Sequence, residues 1–539
     1  MNAEGAWIVV GAGPAGAAAA GCLARTGRKV VVLDTGLSLE PEREQARLRM
    51  STTPPERWRA EDVSLTSFSP SGSEGPNYKQ LFGSDVAFRD DDVLEMRVDP
   101  RVGARPSYAV GGLSNVWGSG LLTYTREDLA GWPIGLEQLA EGYRAVLGFL
   151  PYAAEHDELA ERYPLYRDPD GPLLRTRAGE EILARLRRRS SRLDAAGVAF
   201  GAPRLAVRVG HPAPTHGCVY CNHCLDGCPY GHIYSAAHTI GRLAEEGAIE
   251  YRPGLHVERI QEGPDGVTVQ ARSVGGGPGA TLTAERVMLA AGVIPTTVIL
   301  QASGLLPPRC EIRDSQALYL PFAWLGRVGR PGREPGHTLS QAALVVDDPA
   351  GVDRPVHVSL YTHSDGITQR VRREHPWIAR TLGPGLERIL RRLVVGICFF
   401  HSDDSDAVAC SWDEHGRRVT LDPVPNPARR AAVSRFQRSL LRSLGGAGLV
   451  PLAPLAEVAP PGGGYHYGGS APMRSQPTFG ETDTLGRPAG ARAIHVVDAS
   501  CFPAVPGGSI TLTAMANAHR IAAAVAAGAG ARAGAGEPA

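Results

Sequence analysis

Four of the nine cysteines in this 539-residue chain fall inside one short run, CVYCNHCLDGCP, at Cys218, Cys221, Cys224 and Cys228. The spacing C-x2-C-x2-C-x3-C-P holds iron–sulfur clusters in bacterial ferredoxins, where the fourth cysteine of the run serves a second cluster. Read that way, Cys218, Cys221 and Cys224 need a distant fourth ligand or hold a three-iron centre, and electrons leave singly for an acceptor protein. Two other readings stand beside it. Zinc can take the thiolates with His223 or His216, although the run supplies only one knuckle of the pair a structural zinc site uses. A reduced loop whose thiols are kept inert by burial needs no metal. Cys22, Cys310, Cys398, Cys410 and Cys501 are scattered and read as ordinary buried thiols.

Chemistry of this kind needs elements to hold it, and the N-terminus supplies the clearest. WIVVGAGPAGAAAAGCLARTGRKVVVLDTG, residues 7–36, reads as an apolar strand, a glycine turn, an alanine-rich helix and a second strand ending in an acid. Gly11 permits the tight turn, Gly13 lets the backbone approach a pyrophosphate, and Gly16 lets the helix pack closely on the strand. The first amides of the helix then face the diphosphate. Asp34 stands where an adenosine ribose would donate hydrogen bonds. The pattern predicts a doubly wound dinucleotide-binding domain and leaves NAD and FAD both open.

Further blocks narrow the choice. YAVGGLSNVWGSG begins at Tyr108, VMLAAGVIPTTVILQASG runs from Val287 to Gly304, and residues 464–520 contain GYHYGGSAPM and AIHVVDASCFPAVPGGSITLTAMANAHR. In order and content these blocks resemble the glucose-methanol-choline (GMC) flavoprotein oxidoreductases, the C-terminal block most specifically. Residues 311–450 carry no motif that matches. The resemblance implies an α/β fold: FAD extended in a discontinuous, doubly wound domain, and a substrate domain built on an antiparallel sheet with helices. It implies that Gly11, Gly13, Gly16 and Asp34 hold the ADP half, and that Gly111, Gly112, Ser114, Asn115 and Trp117 form the loop beside the flavin ring and pyrophosphate. Val257 would meet the adenine through backbone atoms, Ala291 and Gly292 would line the FAD, and Asp498 with Ala499 would reach its ribityl and pyrophosphate region. Where sugar-oxidising relatives carry a histidine bonded to the flavin, this chain has Val116, so the FAD is expected to be non-covalent.

The same resemblance places the reaction. Oxidising an alcohol requires loss of the hydroxyl proton and departure of hydride, and a histidine base suits the first. His466 occupies the position of the family's catalytic histidine. The second active-site position, His or Asn in relatives, is Ser509, which can hydrogen-bond an oxygen but cannot take up a proton at neutral pH. Ser509 is equally the N-cap that the following alanine-rich run requires. The amides of that helix start would face the flavin edge where negative charge develops.

Bulk composition bounds the rest. Lys+Arg 56 against Asp+Glu 56 leaves no net field for nucleic acid. Neither a signal peptide nor a membrane-spanning run is evident, so a cytoplasmic protein is expected. The expected FAD domain takes 1–40, 100–135, 200–308 and 455–528, the substrate domain takes 41–99 and 311–454, and 529–539 is expected to be a disordered tail. Polar residues in Glu40–Asp99 and Gly326–Thr381 favour a sugar or aminosugar-like alcohol, with O2 or a one-electron acceptor protein as the electron sink. The rival readings are a dithiol or ferredoxin-linked reductase and a flavin-binding scaffold without catalysis.

Overall fold

Trp7–Val10 and Val30–Leu33 are short and wholly apolar, the pattern of strands covered on both faces. The computed structural model describes residues 5–67, 79–89, 93–210, 216–329, 334–348, 354–364, 367–368, 371–372, 375–415 and 417–534. In it these strands are neighbours in a five-stranded sheet ordered Ile494–Val496, Arg286–Leu289, Trp7–Val10, Val30–Leu33, Glu250–Arg252. Every pair in that sheet is parallel. The helix Pro14–Ala24 follows the first strand, with proline in its first turn and almost nothing larger than alanine on its buried positions.

The long helix Ile510–Gly534 lies against Pro14–Ala24 and Leu136–Leu147. At the second crossing a Cβ on Gly142 would stand 2.3 Å from the Ala516 carbonyl oxygen, so only glycine lets the helices approach this closely. Tyr143 and Thr513 hydroxyls meet at 2.8 Å beside it. The helix runs on to Gly534, into the stretch expected to be disordered, because its alanine-rich sequence keeps a high helix propensity; residues 535–539 lie outside the described residues.

The second unit is a seven-stranded sheet with successive strands Leu449–Pro451, Ala317–Trp324, Leu393–Phe399, Val356–Tyr361, Ala342–Val346 and Val198–Gly201, and Glu457–Val458 pairs along Ala317–Trp324. Its pairings are antiparallel. Alternation along these strands separates two faces. Leu318, Leu320, Phe322, Val358, Leu360 and Cys398 belong to a core shared with residues of the helices Arg177–Arg187 and Arg429–Leu444. The opposite face presents Ala317, Tyr319, His357, Ser359, Tyr361, Ile397 and Phe399. Val198–Gly201 thus joins the antiparallel sheet, although residues from 200 onward were expected in the dinucleotide domain. A further sheet pairs Glu95–Val98 with Arg418–Val424, which carries the end of the 41–99 segment to the 311–454 segment.

Candidate active site

The glycine turn is built by packing at two of its three glycines. Gly11 has φ +103° and a Cβ there would stand 2.3 Å from the Ala290 carbonyl oxygen and 2.8 Å from Ala291 Cα; at Gly16 it would stand 2.0 Å from the Gly11 carbonyl oxygen. Gly13 differs: its φ is −75°, and a Cβ would meet nothing within 4 Å. The missing side chain at Gly13 therefore leaves open space at the start of Pro14–Ala24, where a ligand can reach the backbone. Gly112, at φ +57°, brings the next loop to within 3.4 Å of Gly13 Cα, measured from where its Cβ would lie.

That loop is tied to the start of the helix Ala236–Glu245. Ser114 Oγ donates to Gly111 O at 2.6 Å and accepts from Ala236 N at 2.9 Å; Ser235 Oγ donates to Asn115 Oδ1 at 2.7 Å. Trp117 Nε1 donates to Tyr234 O at 2.9 Å, and a Cβ on Gly111 would lie 2.6 Å from Ser235 Oγ. Ser114 and Asn115 are thus engaged in fixing the loop. Asp34 accepts from Ala12 N at 3.1 Å, Gly36 N at 3.0 Å and the Tyr251 hydroxyl at 3.3 Å, and burial pushes its carboxyl up to about 6. Asp498 accepts from Gly292 N at 3.0 Å, Thr296 Oγ1 at 2.6 Å and Ser500 N at 2.9 Å, and burial raises it. Gly292, at φ +87°, has open space where a Cβ would be, and Ala291 packs on the core beside it. The Ala499 carbonyl accepts from Gly469 N at 2.9 Å, which joins the Asp498 turn to the loop that carries His466.

His466 sits where the two units meet. Its carbonyl accepts from Ser315 N at 2.8 Å, while Arg313 pairs with Gly468 and the buried Asp314 accepts from Gly462 N at 2.6 Å, so strand Arg309–Asp314 clamps both ends of the loop. The imidazole stacks on Phe399 with ring centroids 4.2 Å apart, and burial holds its pKa down at about 4. Ser509 directly precedes the helix Ile510–Gly534, and a Cβ on Gly120 would lie 2.7 Å from its Oγ. A Cβ on the preceding Gly508 would lie 3.5 Å from His357 Cε1, and one on Gly118 would lie 2.9 Å from the Tyr361 hydroxyl. His466 and Ser509 are therefore gathered beside the free face of the antiparallel sheet. That face contributes His357, Phe399 and Tyr361, all from the stretch without a recognisable motif; the alternation of VHVSLY was the available signal for His357 and Tyr361.

Residues 428–518, which include His466, Asp498 and Ser509, match the GMC oxidoreductase family. The fold matches the crystal structure of pyridoxine 4-oxidase from Mesorbium loti with a TM-score of 0.59, covering 96% of this chain and 98% of that one at 15% sequence identity. Residues 428–518 thus carry the C-terminal domain of the GMC oxidoreductases. No curated protein matches it by sequence.

The cysteine run gathers its thiols in one place. Cys218, Cys221, Cys224 and Cys228 all line one small cavity with His223 and His232, and none is in a disulfide. Burial, with repulsion from neighbouring thiols, raises Cys218, Cys221 and Cys228. Among the described residues no three His, Cys, Asp or Glu side chains gather closely enough to hold a metal ion. His223 turns to Thr66 Oγ1 at 3.4 Å and lies 3.6 Å from Asp226. Lys79 lies between this run and the Gly111–Trp117 loop: its Nζ donates to Trp117 O at 2.8 Å, and burial lowers it to about 8 against the pull of Cys224 and Asp226. A larger open groove, about 1030 Å³, includes Val257 and Pro295, the ion pair Arg272–Glu258, and Trp412; His466 and Ser509 do not line it.

Proposed function

We propose that this chain is a GMC oxidoreductase that oxidises a neutral alcohol with an aromatic or alicyclic body, using non-covalent FAD as the first electron acceptor and His466 as the base. The observation that carries the reading is the position of His466, clamped at the junction of the two units with its ring against Phe399 on the free sheet face. FAD, when bound, takes up the electron pair that leaves the carbinol carbon. In this reading Gly11, Gly13, Gly16 and Asp34 hold its ADP half, Gly111 to Trp117 lie beside the ring and pyrophosphate, Val257 meets the adenine, and Ala291, Gly292, Asp498 and Ala499 border the ribityl chain. The open space at Gly13 and Gly292 supports that fit. Val116 is buried near Ala87 and Phe88 and offers no nucleophile for a covalent link.

His466 is unprotonated at neutral pH because burial disfavours its charged form, so a lone pair is available to receive the hydroxyl proton. Ser509 directly precedes the helix Ile510–Gly534 and has its Oγ against Gly120, and in this reading its hydroxyl also meets the substrate oxygen. The amides of that helix start favour developing negative charge. The substrate side departs from the sugar expectation. On the three central strands the free face carries Tyr319, Tyr361, Ile397, Phe399, His357 and Ser359, with no formal charge. The nearest carboxylate on this sheet, Glu457, stands exposed opposite Tyr319 and gives an ammonium group no buried partner. The sugar expectation rested on loop composition, which reflects solvent contact as readily as the wall of a pocket.

The four thiols share a cavity without closing into a ligand set among the described residues, so in this reading no electrons pass through an iron–sulfur cluster. The test is an anaerobic screen of the FAD-loaded protein against benzyl alcohol, pyridoxine (the substrate named for the relative of like fold), cyclohexanol, glucose and glucosamine. Faster bleaching of the flavin by the aromatic or alicyclic alcohols than by the sugars is expected. Bleaching by dithiols but by none of the alcohols would overturn the proposal, and repeating the run in air shows whether O2 or an added one-electron acceptor restores the colour.

A further inference from the structure

We infer that His357 is a second hydrogen-bonding imidazole of the reaction site, holding the substrate oxygen alongside His466; the inference rests on the alcohol-oxidation reading above. His357 is directly opposite Phe399 in the register between Val356–Tyr361 and Leu393–Phe399, so both side chains stand on the same face of the sheet. Phe399 carries the stacked ring of His466 at 4.2 Å, and Gly508, next to Ser509, packs beside His357. Three separate elements thus bring His466, Ser509 and His357 around one place. The Gly508 backbone packs directly beside the imidazole: a Cβ there would stand in ordinary van der Waals contact, 3.5 Å from Cε1 and 3.7 Å from Nε2.

The hydrogen bonding of the ring is half complete. Nε2 meets the Tyr163 hydroxyl at 3.3 Å, and the Tyr163 ring packs edge-on to it with centroids 5.6 Å apart. Nδ1 is buried and has no hydrogen-bond partner among the described residues. Burial, reinforced by Arg162 and His466, keeps His357 neutral with a pKa of about 3. A neutral imidazole has one N–H and one lone pair, and a buried one left unmatched carries the full desolvation penalty. Tyr163, itself fully buried, donates its hydroxyl proton to Nε2 in the arrangement that puts the ring proton on Nδ1. Nδ1–H is then the unmatched donor, and an alcohol oxygen is the acceptor it lacks. As the hydroxyl proton passes to His466, the oxygen gains negative charge and this hydrogen bond strengthens. His357 keeps its own proton throughout.

The test compares His357→Phe, which keeps a ring and removes both nitrogens, with His357→Gln, which keeps a donor. FAD content and circular dichroism check the fold of each. In anaerobic stopped flow with benzyl alcohol or pyridoxine, His357→Phe is expected to lower the limiting rate of flavin bleaching by about 100-fold, the scale of losing one donor to a developing oxyanion, and His357→Gln to recover about 10-fold of that loss. Titration of the oxidised flavin spectrum with trifluoroethanol should show binding weakened by about 10-fold in His357→Phe, the worth of one hydrogen bond. Wild-type rates and wild-type trifluoroethanol affinity in His357→Phe would overturn the inference. If no alcohol bleaches the wild-type flavin, the alcohol-oxidation reading fails, and the trifluoroethanol titration alone decides His357, equal affinities counting against it. Should His357→Phe lose FAD, His357→Gln is compared with Tyr163→Phe, which frees Nε2; unaltered rates and affinities in both would overturn the inference.

Discussion

Alanine at Gly13 and at Gly11 should give opposite phenotypes, although the two residues are separated by one position. At Gly11 an alanine would have to hold φ +103° and place Cβ 2.3 Å from the Ala290 carbonyl oxygen, whose own amide bonds Val10 at 2.8 Å. The backbone conformation alone costs about 1–3 kcal/mol. Relieving the overlap costs about 1–3 kcal/mol more, because strand Arg286–Leu289 must move as a unit. Together these take a large share of a net stability of about 5–15 kcal/mol. At Gly13 the φ of −75° suits any residue and the Cβ meets nothing within 4 Å, so alanine costs only its poorer N-cap preference, about 0.5–1 kcal/mol. What the new methyl does occupy is the space through which a pyrophosphate would approach. Gly13→Ala should therefore leave the melting temperature of the apoprotein within about 1 °C of wild type while weakening FAD binding by about 10–100-fold, or ~1.4–2.8 kcal/mol. Gly11→Ala should lower the apoprotein melting temperature sharply. Thermal melts of apoprotein and a flavin-fluorescence titration measure both quantities. Gly13→Ala protein that binds FAD like wild type would refute the placement of the pyrophosphate, and one that unfolds like Gly11→Ala would refute the packing argument.

Three further outcomes follow from the same geometry. Burial pushes Asp314 up to about 8, above the ordinary value of about 3.9, so its contribution to stability is greatest below about pH 4 and is lost as pH rises toward 8; Asp314→Asn, which can still accept from Gly462 N, should flatten the fall in melting temperature between about pH 5 and 8, and an unchanged slope would count against the buried carboxyl. Acid precipitation should release all of the FAD, since Val116 offers no covalent link, and flavin retained in the pellet would contradict that. Protein purified anaerobically should hold less than one iron per chain, because Cys218, Cys221, Cys224 and Cys228 do not form a ligand set; stoichiometric iron with acid-labile sulfide would show that the thiols rearrange around a cluster.

Sequence made one half of this molecule legible and hid the other for a physical reason. Gly11, Gly16 and Gly111 answer to backbone constraints, and such constraints leave a residue-type signature that survives without any knowledge of the fold. His466 and Ser509 were readable because they lie inside the C-terminal block. His357, Phe399 and Tyr361 were not, since a pocket wall made of strand side chains needs only alternation and a suitable shape, and alternation alone does not say which face meets the reaction. Tyr251 beside Asp34 and Tyr163 beside His357 are partners brought from 217 and 194 residues away, and nothing local in either stretch marks them. The cysteine run shows the converse limit. Its spacing is specific as a string, yet folding places His223 on Thr66 and Asp226 and leaves the four thiols, of which only Cys224 is buried, around a cavity.

The central claim is that His466 removes the hydroxyl proton as the alcohol is oxidised, and one measurement bears on it most directly: anaerobic stopped-flow bleaching of the flavin in wild type and His466→Ala by whichever alcohol of the screen reacts fastest, from about pH 5 to 9. With a wild-type imidazole unprotonated above its pKa of about 4, the wild-type rate should be nearly flat over that range and fall only on further acidification. His466→Ala should keep its FAD and bleach about 100- to 10,000-fold more slowly, the scale of a positioned base, with a rate that now rises with hydroxide. A His466→Ala protein that holds FAD and is bleached at the wild-type rate would contradict the assignment.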